Sequence, residues 1–167
     1  GLTLWLVNLL AVHGGSYRCW FRHGGTPDQS VWARVENERQ LGLDGPRPYA
    51  RFNTRVTAAM RKLAEILHWL EGKRIIGFGA AAKGTVLLNE MRHQELPLPM
   101  AVMDDSTVKQ GKWIPGVNLP IVPPSSLKDM DAVLILPWNW TEEIMARCQA
   151  LDFHGQYLVP LPYPKLV

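Results

Sequence analysis

The sequence predicts an α/β fold: a parallel sheet with helices on both faces, preceded by an N-terminal β-hairpin. Three observations carry that reading. From residue 72 onward, short runs of Ile, Val, Leu and Met alternate with stretches of helical periodicity, as in a parallel sheet whose strands are buried on both sides. "GFGAAAKG", residues 77–84, joins the first of those runs to a helix through glycine and alanine. Residues 2–9 and 16–22, rich in Leu, Val, Trp, Tyr and Phe, flank "HGGS", a turn in which glycine adopts positive φ at no steric cost.

Taken in order, the hairpin comes first and "RHGGTPDQ" follows as a second Gly/Pro turn. Residues 24–52 read as a connecting segment with a short helix near 30–41. A long helix is expected next, with Asn53 or Thr54 as N-cap, an apolar face of Val56, Met60, Leu63, Leu67 and Leu70, and Gly72 at its end. "RIIGF" is a buried strand, and the glycine loop opens a helix near 83–92. "PMAVM" is a strand ending at Asp104 and Asp105, "LPIV" a short strand, and "SSLKDM" a short helix capped by Ser125. "DAVLILP" is a third strong strand. "TEEIMARCQAL" is a helix capped by Thr141, with Glu142 and Glu143 placed to complement its dipole, and "GQYLVPLP" is the closing strand. Strands alternating with helices in this way give a Rossmann-like three-layer plan. The expected boundaries are 1–50 for hairpin and connecting segment and 51–167 for the Rossmann-like domain.

Composition narrows the class. A chain of 167 residues is long enough for a proper core, and 47% apolar with 20% charged residues is globular rather than disordered. The longest apolar run, "GLTLWLVNLLAV", falls short of the roughly 20 residues that span a bilayer. It is interrupted by Thr3 and Asn8 and lacks the basic leader and cleavage site of a signal peptide. Gly1 in place of Met is what a fragment would show. Cys19 and Cys148 are far apart, with no C-x-x-C pair and no histidine cluster, so no metal site is expected and a reducing, cytoplasmic location fits. The formal charge of +3 is mild and the basic residues are scattered. Neither nucleic acid nor membrane is an expected partner.

Chemistry is expected at four places. Small residues in "GFGAAAKG" let backbone N–H groups face an anion at a helix N-terminus, with Lys83 adding a full charge. Gly77 and Gly79 fit the first two positions of a dinucleotide fingerprint and Ala82 takes the third, with Asp104 where an NAD-ribose acid would sit. The plain alternative is a tight strand–helix turn. "DDSTVKQGKWIPG" leaves the carboxyl end of a strand and offers Lys109, Gln110 and Lys112 to a phosphate, or is a solvated loop. In "LPWNW", Trp138 and Asn139 offer a stacking surface and an amide to the same crevice, unless the indole is core. His13, between an apolar run and two glycines, is a hydrogen-bonded turn residue or a base aimed into a cleft. His23, His68, His93 and His154 are read as structural. These residues by themselves allow a stand-alone module for NAD or a nucleotide, or an interaction domain working through its hairpin.

"VHGGSYR", "GFGAAAKGTVLLN", "KQGKWIPGVNLPI", "LILPWNWTEEI" and "GQYLVPLP" follow one another in this order. The series resembles the C-terminal portion of S-adenosylmethionine-dependent C-methyltransferases that methylate a carbon of nucleotide-linked deoxy-keto-sugars. The resemblance covers nearly the whole chain, most strongly residues 72–162. It implies a three-part protein of which this chain is the last part, with zinc and the methyl donor bound in the parts missing here and residues 1–23 closing the sheet of the donor domain. The chain alone would then be inactive. The resemblance makes His13 the base that forms an enolate from a carbon next to a ketone. Sugar-methylating members can carry a tyrosine and a glutamate just before this histidine, where this chain has Leu10 and Val12. Ser16 and Lys83 are the first expected phosphate contacts and Lys109 and Asn139 the next, with Gly77, Gly79, Asp104, Gln110 and Trp138 completing a nucleotide-sugar site. With its partner sheet missing, the hairpin would leave Trp5, Leu6, Leu9, Trp20 and Phe21 uncovered. It is expected to pair with a second copy in a homodimer or to fold back on the body.

Overall fold

The computed structural model describes the backbone of residues 1–167 and every side chain but that of His13. Two compact units result, Gly1–Val56 and Thr57–Val167.

In the first unit, β1 (Leu2–Leu10) and β2 (Ser16–His23) pair antiparallel, with Leu2 opposite His23, Leu10 opposite Ser16 and a bulge at Trp5. A single 3-10 turn, Val12–Gly14, joins them, and Gly14 (φ 81°) and Gly15 (φ 113°) supply the left-handed backbone that reverses the chain. The Gly15 N–H and the Ser16 hydroxyl both donate to the Val12 carbonyl, at 3.0 and 3.1 Å. Helix α1 (Gln29–Gln40) is started by Asp28, whose carboxylate accepts from the Ser30 N–H at 2.8 Å. It lies along β1: the Val7 N–H donates to the Ser30 hydroxyl at 3.2 Å, and Val7 and Val31 are buried. Leu9, Trp20 and Phe21 remain exposed.

Helix α2 (Arg47–Trp69) begins two turns before the expected cap at Asn53 or Thr54. Pro48 accounts for the difference. In the first turn its missing N–H costs nothing and its fixed φ favours the helix.

The second unit holds β3 (Ile75–Phe78), β4 (Val102–Met103), β5 (Trp113–Ile114), β6 (Leu119–Val122), β7 (Ala132–Ile135), β8 (Gln156–Val159) and β9 (Lys165–Leu166), ordered β5-β6-β4-β3-β7-β8-β9. The five central strands are parallel, and β5 and β9 run antiparallel at the edges. Period-two alternation sends Ile75, Val102, Leu134 and Leu158 to one face, against Leu63 and Leu67 of α2 and Leu88 and Met91 of α3 (Ala82–His93). It sends Ile76, Phe78, Met103 and Ile135 to the other, against Ile144 and Cys148 of α4 (Thr141–Ala150). This is the expected three-layer, Rossmann-like arrangement.

Local differences have local causes. Ser125 does not cap a helix: a 3-10 turn, Pro124–Leu127, starts after Pro123, because Pro124 takes the first position. Thr141 is inside α4 rather than at its cap, and its hydroxyl donates to the Trp138 carbonyl at 2.8 Å. Strand β5 arises within the expected polar loop because Gly116 (φ 85°) and Asn118 (φ 54°) fold the chain back, placing Trp113 opposite Pro120. No helix among the described residues is long and apolar enough to cross a membrane.

Candidate functional site

From β3 the chain passes through α3 to β4 and β6 on one side, then returns to β7 on the other. Open α/β sheets bind ligands at such a reversal, outside the carboxyl ends of the strands. The loop after β3 carries Gly79 to Lys83, the loop after β7 carries Trp138 and Asn139, and Asp104 directly follows β4.

The glycines are there for close packing. Gly77 lies inside β3, where an added Cβ would stand 3.1 Å from Val102 Cγ2 and 3.2 Å from Leu136 Cδ1. Gly79, at φ 89°, would bring a Cβ to 2.6 Å from Pro137 Cγ. Gly84 was not singled out by the sequence, yet a Cβ there would be 2.7 Å from Leu136 Cβ. Its absence lets α3 start directly against the end of β7. A glycine in the first turn of a helix, where propensity disfavours it, was the available signal.

Helix α3 opens without a side-chain cap, since Ala81 stands at the N-cap. Its first N–H groups therefore lack the usual acceptor and carry the positive end of the helix dipole. Lys83 is exposed, and its ammonium lies 5.9 Å from the centre of the half-buried Trp138 ring, within cation–π range. The structure thus brings Lys83 and Trp138 together, while Asn139 is exposed beside them.

Asp104 is the one buried charged residue among the described side chains. Its Oδ2 accepts from the Ala80 N–H at 2.8 Å and from Lys109 Nζ at 3.1 Å, and its Oδ1 accepts from the Ser106 N–H at 2.9 Å. Burial by itself would raise the pKa of this carboxyl. The Ser106 N–H, the Lys109 ammonium and the Ala80 N–H together outweigh burial and hold it below the ordinary carboxylate range. Lys109 also donates to the Ala80 carbonyl at 2.9 Å, and the Gln110 side-chain amide to the Asp104 carbonyl at 2.9 Å. Asp104, Lys109 and Gln110 therefore form a clamp on the glycine loop. Lys83, by contrast, has no ion pair among the described residues.

Ser16 and His13 belong to the first unit. The Ser16 hydroxyl is spent inside the hairpin turn. His13 occupies the same turn by its backbone, and its side chain lies outside the described residues.

Comparison with known proteins bears on this arrangement. A family model described as "C-methyltransferase C-terminal domain" matches residues 11–162. The chain belongs to that family. It is 30% identical over 178 aligned positions to the C-methyltransferase NovU of Streptomyces niveus, an alignment covering 100% of this chain and 41% of NovU. The chain thus spans about two-fifths of the length of this relative. Among solved structures it is similar to UDP-D-quinovosamine 4-dehydrogenase from Vibrio fischeri, with 21% identity and a TM-score of 0.40 over 55% of this chain and 79% of that one.

Membership in a C-methyltransferase family raises the question of the methyl donor. Of the two carboxylates that follow β4, both Asp104 oxygens are engaged and Asp105 pairs with Arg147 at 2.7 Å, so each already has partners among the described residues. Among the described residues there is also no group of three or more His, Cys, Asp or Glu that could hold a metal ion.

Proposed function

We propose that this chain is the substrate-holding C-terminal domain of a C-methyltransferase acting on a nucleotide-linked keto-sugar or a substrate of that kind. The carrying observation is the sheet reversal, where an uncapped helix N-terminus meets Lys83, a cation left without an ion pair, beside the Trp138 ring. An N-terminus and a lysine suit a diphosphate, and an indole suits a planar group attached to it. Asp104, Lys109 and Gln110 then act by fixing the loop, with Gly77, Gly79 and Gly84 giving it room. Asn139 is a further amide for the substrate. S-adenosylmethionine is bound by a part of the protein outside these residues. His13 takes the proton from a carbon next to a ketone, which leaves on that carbon the electron pair that C-methylation needs. The protein works in the cytoplasm.

A stand-alone module for NAD draws less support, because Asp104 already spends its oxygens on Ala80, Ser106 and Lys109. Calorimetry with a nucleoside diphosphate tests the anion site. Binding should weaken at least tenfold in Lys83→Ala with an unchanged Tm. No binding, or binding indifferent to Lys83, would overturn the assignment. For the base, His13→Gln in the full-length enzyme should keep its Tm and lose most of kcat, and an unchanged rate would remove His13 from the mechanism.

A further inference from the structure

Helix α1 runs along β1 toward the turn that joins β1 to β2, and its contacts fix that direction. The N–H of Asp28, its N-cap, donates to the Trp5 carbonyl at 2.8 Å, and the Val7 N–H donates to the Ser30 hydroxyl at 3.2 Å. One helical turn after Ser30, the Arg34 guanidinium lies 6.0 Å from the centre of the Tyr17 ring, and Tyr17 is opposite Leu9. Only the pair Leu10 and Ser16 separates Tyr17 from the turn that carries His13. A strand rises only about 3.4 Å per residue, so Arg34 stands at the turn end of the hairpin.

This guanidinium lacks the partners such a group normally has. Among the described residues, Arg34 Nε is the buried side-chain polar atom that has no hydrogen-bond partner. The group makes no ion pair either, although Glu38 follows one turn later on the same helix. The nearby Glu36 carboxylate is taken by Arg39 and Gln40. A guanidinium carries five N–H donors and no acceptor. Burying one of them unpaired is costly, and an anionic acceptor would remove that cost.

We propose that Arg34 binds the substrate's carbonyl oxygen and stabilises the negative charge that develops there when His13 removes the neighbouring proton. The proposal rests on the reading of His13 as the base. The C–H bond breaks and the proton passes to His13. Its electron pair moves into the bond to the carbonyl carbon, which leaves the charge on oxygen. The same carbon then takes the methyl group of the sulfonium donor, the bond from that methyl to sulfur breaks, and the carbonyl re-forms. Arg34 gives up no proton in either step. It is a charged donor fixed in advance, and its hydrogen bond strengthens as the oxygen becomes anionic. Tyr17 is a positioning residue, since its ring holds the guanidinium by a cation–π contact. The place of Arg34 beside the turn of the base favours this oxygen over the substrate's diphosphate, which the Lys83 loop suits.

Hydrogen exchange in deuterium oxide tests the assignment, with the full-length enzyme and a UDP-linked deoxy-keto-sugar followed by NMR. Run without the methyl donor, it reports removal of the proton alone. Arg34→Gln should slow exchange and kcat about hundredfold. It should change KM by less than about threefold. Its Tm should be unchanged or higher, because a buried unpaired donor is gone. Arg34→Lys, which keeps the charge, should recover part of the rate. Exchange that is lost in His13→Gln but unchanged in Arg34→Gln overturns the role of Arg34 while the base stands. A raised KM with an unchanged kcat also overturns it, and makes Arg34 a phosphate contact. Exchange that is indifferent to His13→Gln, or absent in the parent enzyme, overturns the base and the role of Arg34 together.

Discussion

Replacing Asp104 by asparagine tests whether the clamp on the glycine loop holds the fold together at its ligand-binding end. The change keeps the shape and removes the charge. One oxygen can still accept from the Ala80 N–H, but the new NH₂ then faces the Ser106 N–H, donor against donor. The opposite rotamer sets it against Ala80 and the Lys109 ammonium, which is worse. The cost is one hydrogen bond to a charged acceptor, about 1.5–3 kcal/mol, and part of a second. The pair with Lys109 adds under about 1 kcal/mol, because that side chain is 45% exposed. The sum is about 3 kcal/mol, or a Tm lowered by about 6–12 °C in a chain of this length. Scanning calorimetry at pH 7 reads it directly. The sign with pH follows from the depressed carboxyl. Its contribution is complete above the unfolded-state pKa of about 3.9 and is lost as pH falls through the lower folded value, so the gap between the two proteins should close on acidification. An asparagine variant as stable as the parent at pH 7 would refute the clamp, as would an Asp104 carboxyl that titrates above 3.9 by NMR.

Three further outcomes follow from packing and exposure. Gly84→Ala should destabilise by about 1–3 kcal/mol, although alanine is the better helix former, because its methyl would stand 2.7 Å from Leu136 Cβ; a raised Tm in a thermal melt would show that α3 shifts freely. Burial pushes the Cys148 thiol up to about 11, while Cys19 is exposed. A chromogenic disulfide reagent at pH 8 should therefore titrate one thiol rapidly in the native protein and two in denaturant, and two rapid thiols would contradict the burial. The hairpin, with Leu9, Trp20 and Phe21 exposed, should drive association of two copies at micromolar concentration in sedimentation. A monomer there, unchanged by Trp20→Lys, would remove the hairpin as an interface.

The layer order was legible because burial on both faces leaves a strong trace. Strands such as "RIIGF" and "DAVLILP" carry continuous apolar runs, and turn residues separate them. Helix starts were less legible. Asn53 and Thr54 look like caps, yet Pro48 sets the start of α2 by steric preorganisation rather than by a side-chain bond. At the candidate site, Lys83 and Trp138 were readable as separate residues at strand ends, and their meeting depends on the return of the chain to β7. The partners of Asp104 were not readable. A strand-end acid looks the same in sequence whether it faces a ribose or a neighbouring lysine, and only the path of residues 105–110 brings Lys109 back onto it. Strand β9 was missed for a related reason. The closing run was read as one strand, whereas the chain turns after Val159 and comes back as β9.

The two ends of the large sheet share one property. Each finishes in an antiparallel strand of only two residues, Trp113–Ile114 on one side and Lys165–Leu166 on the other. A stub that short offers a newcomer almost no ladder to copy. The strands of the hairpin are eight and nine residues long, so they are the template that a crowded solution meets. During refolding, the concentration dependence of recovered protein is therefore set by residues 2–23, and charges introduced on that ribbon should raise the yield where charges on the sheet's end strands do nothing.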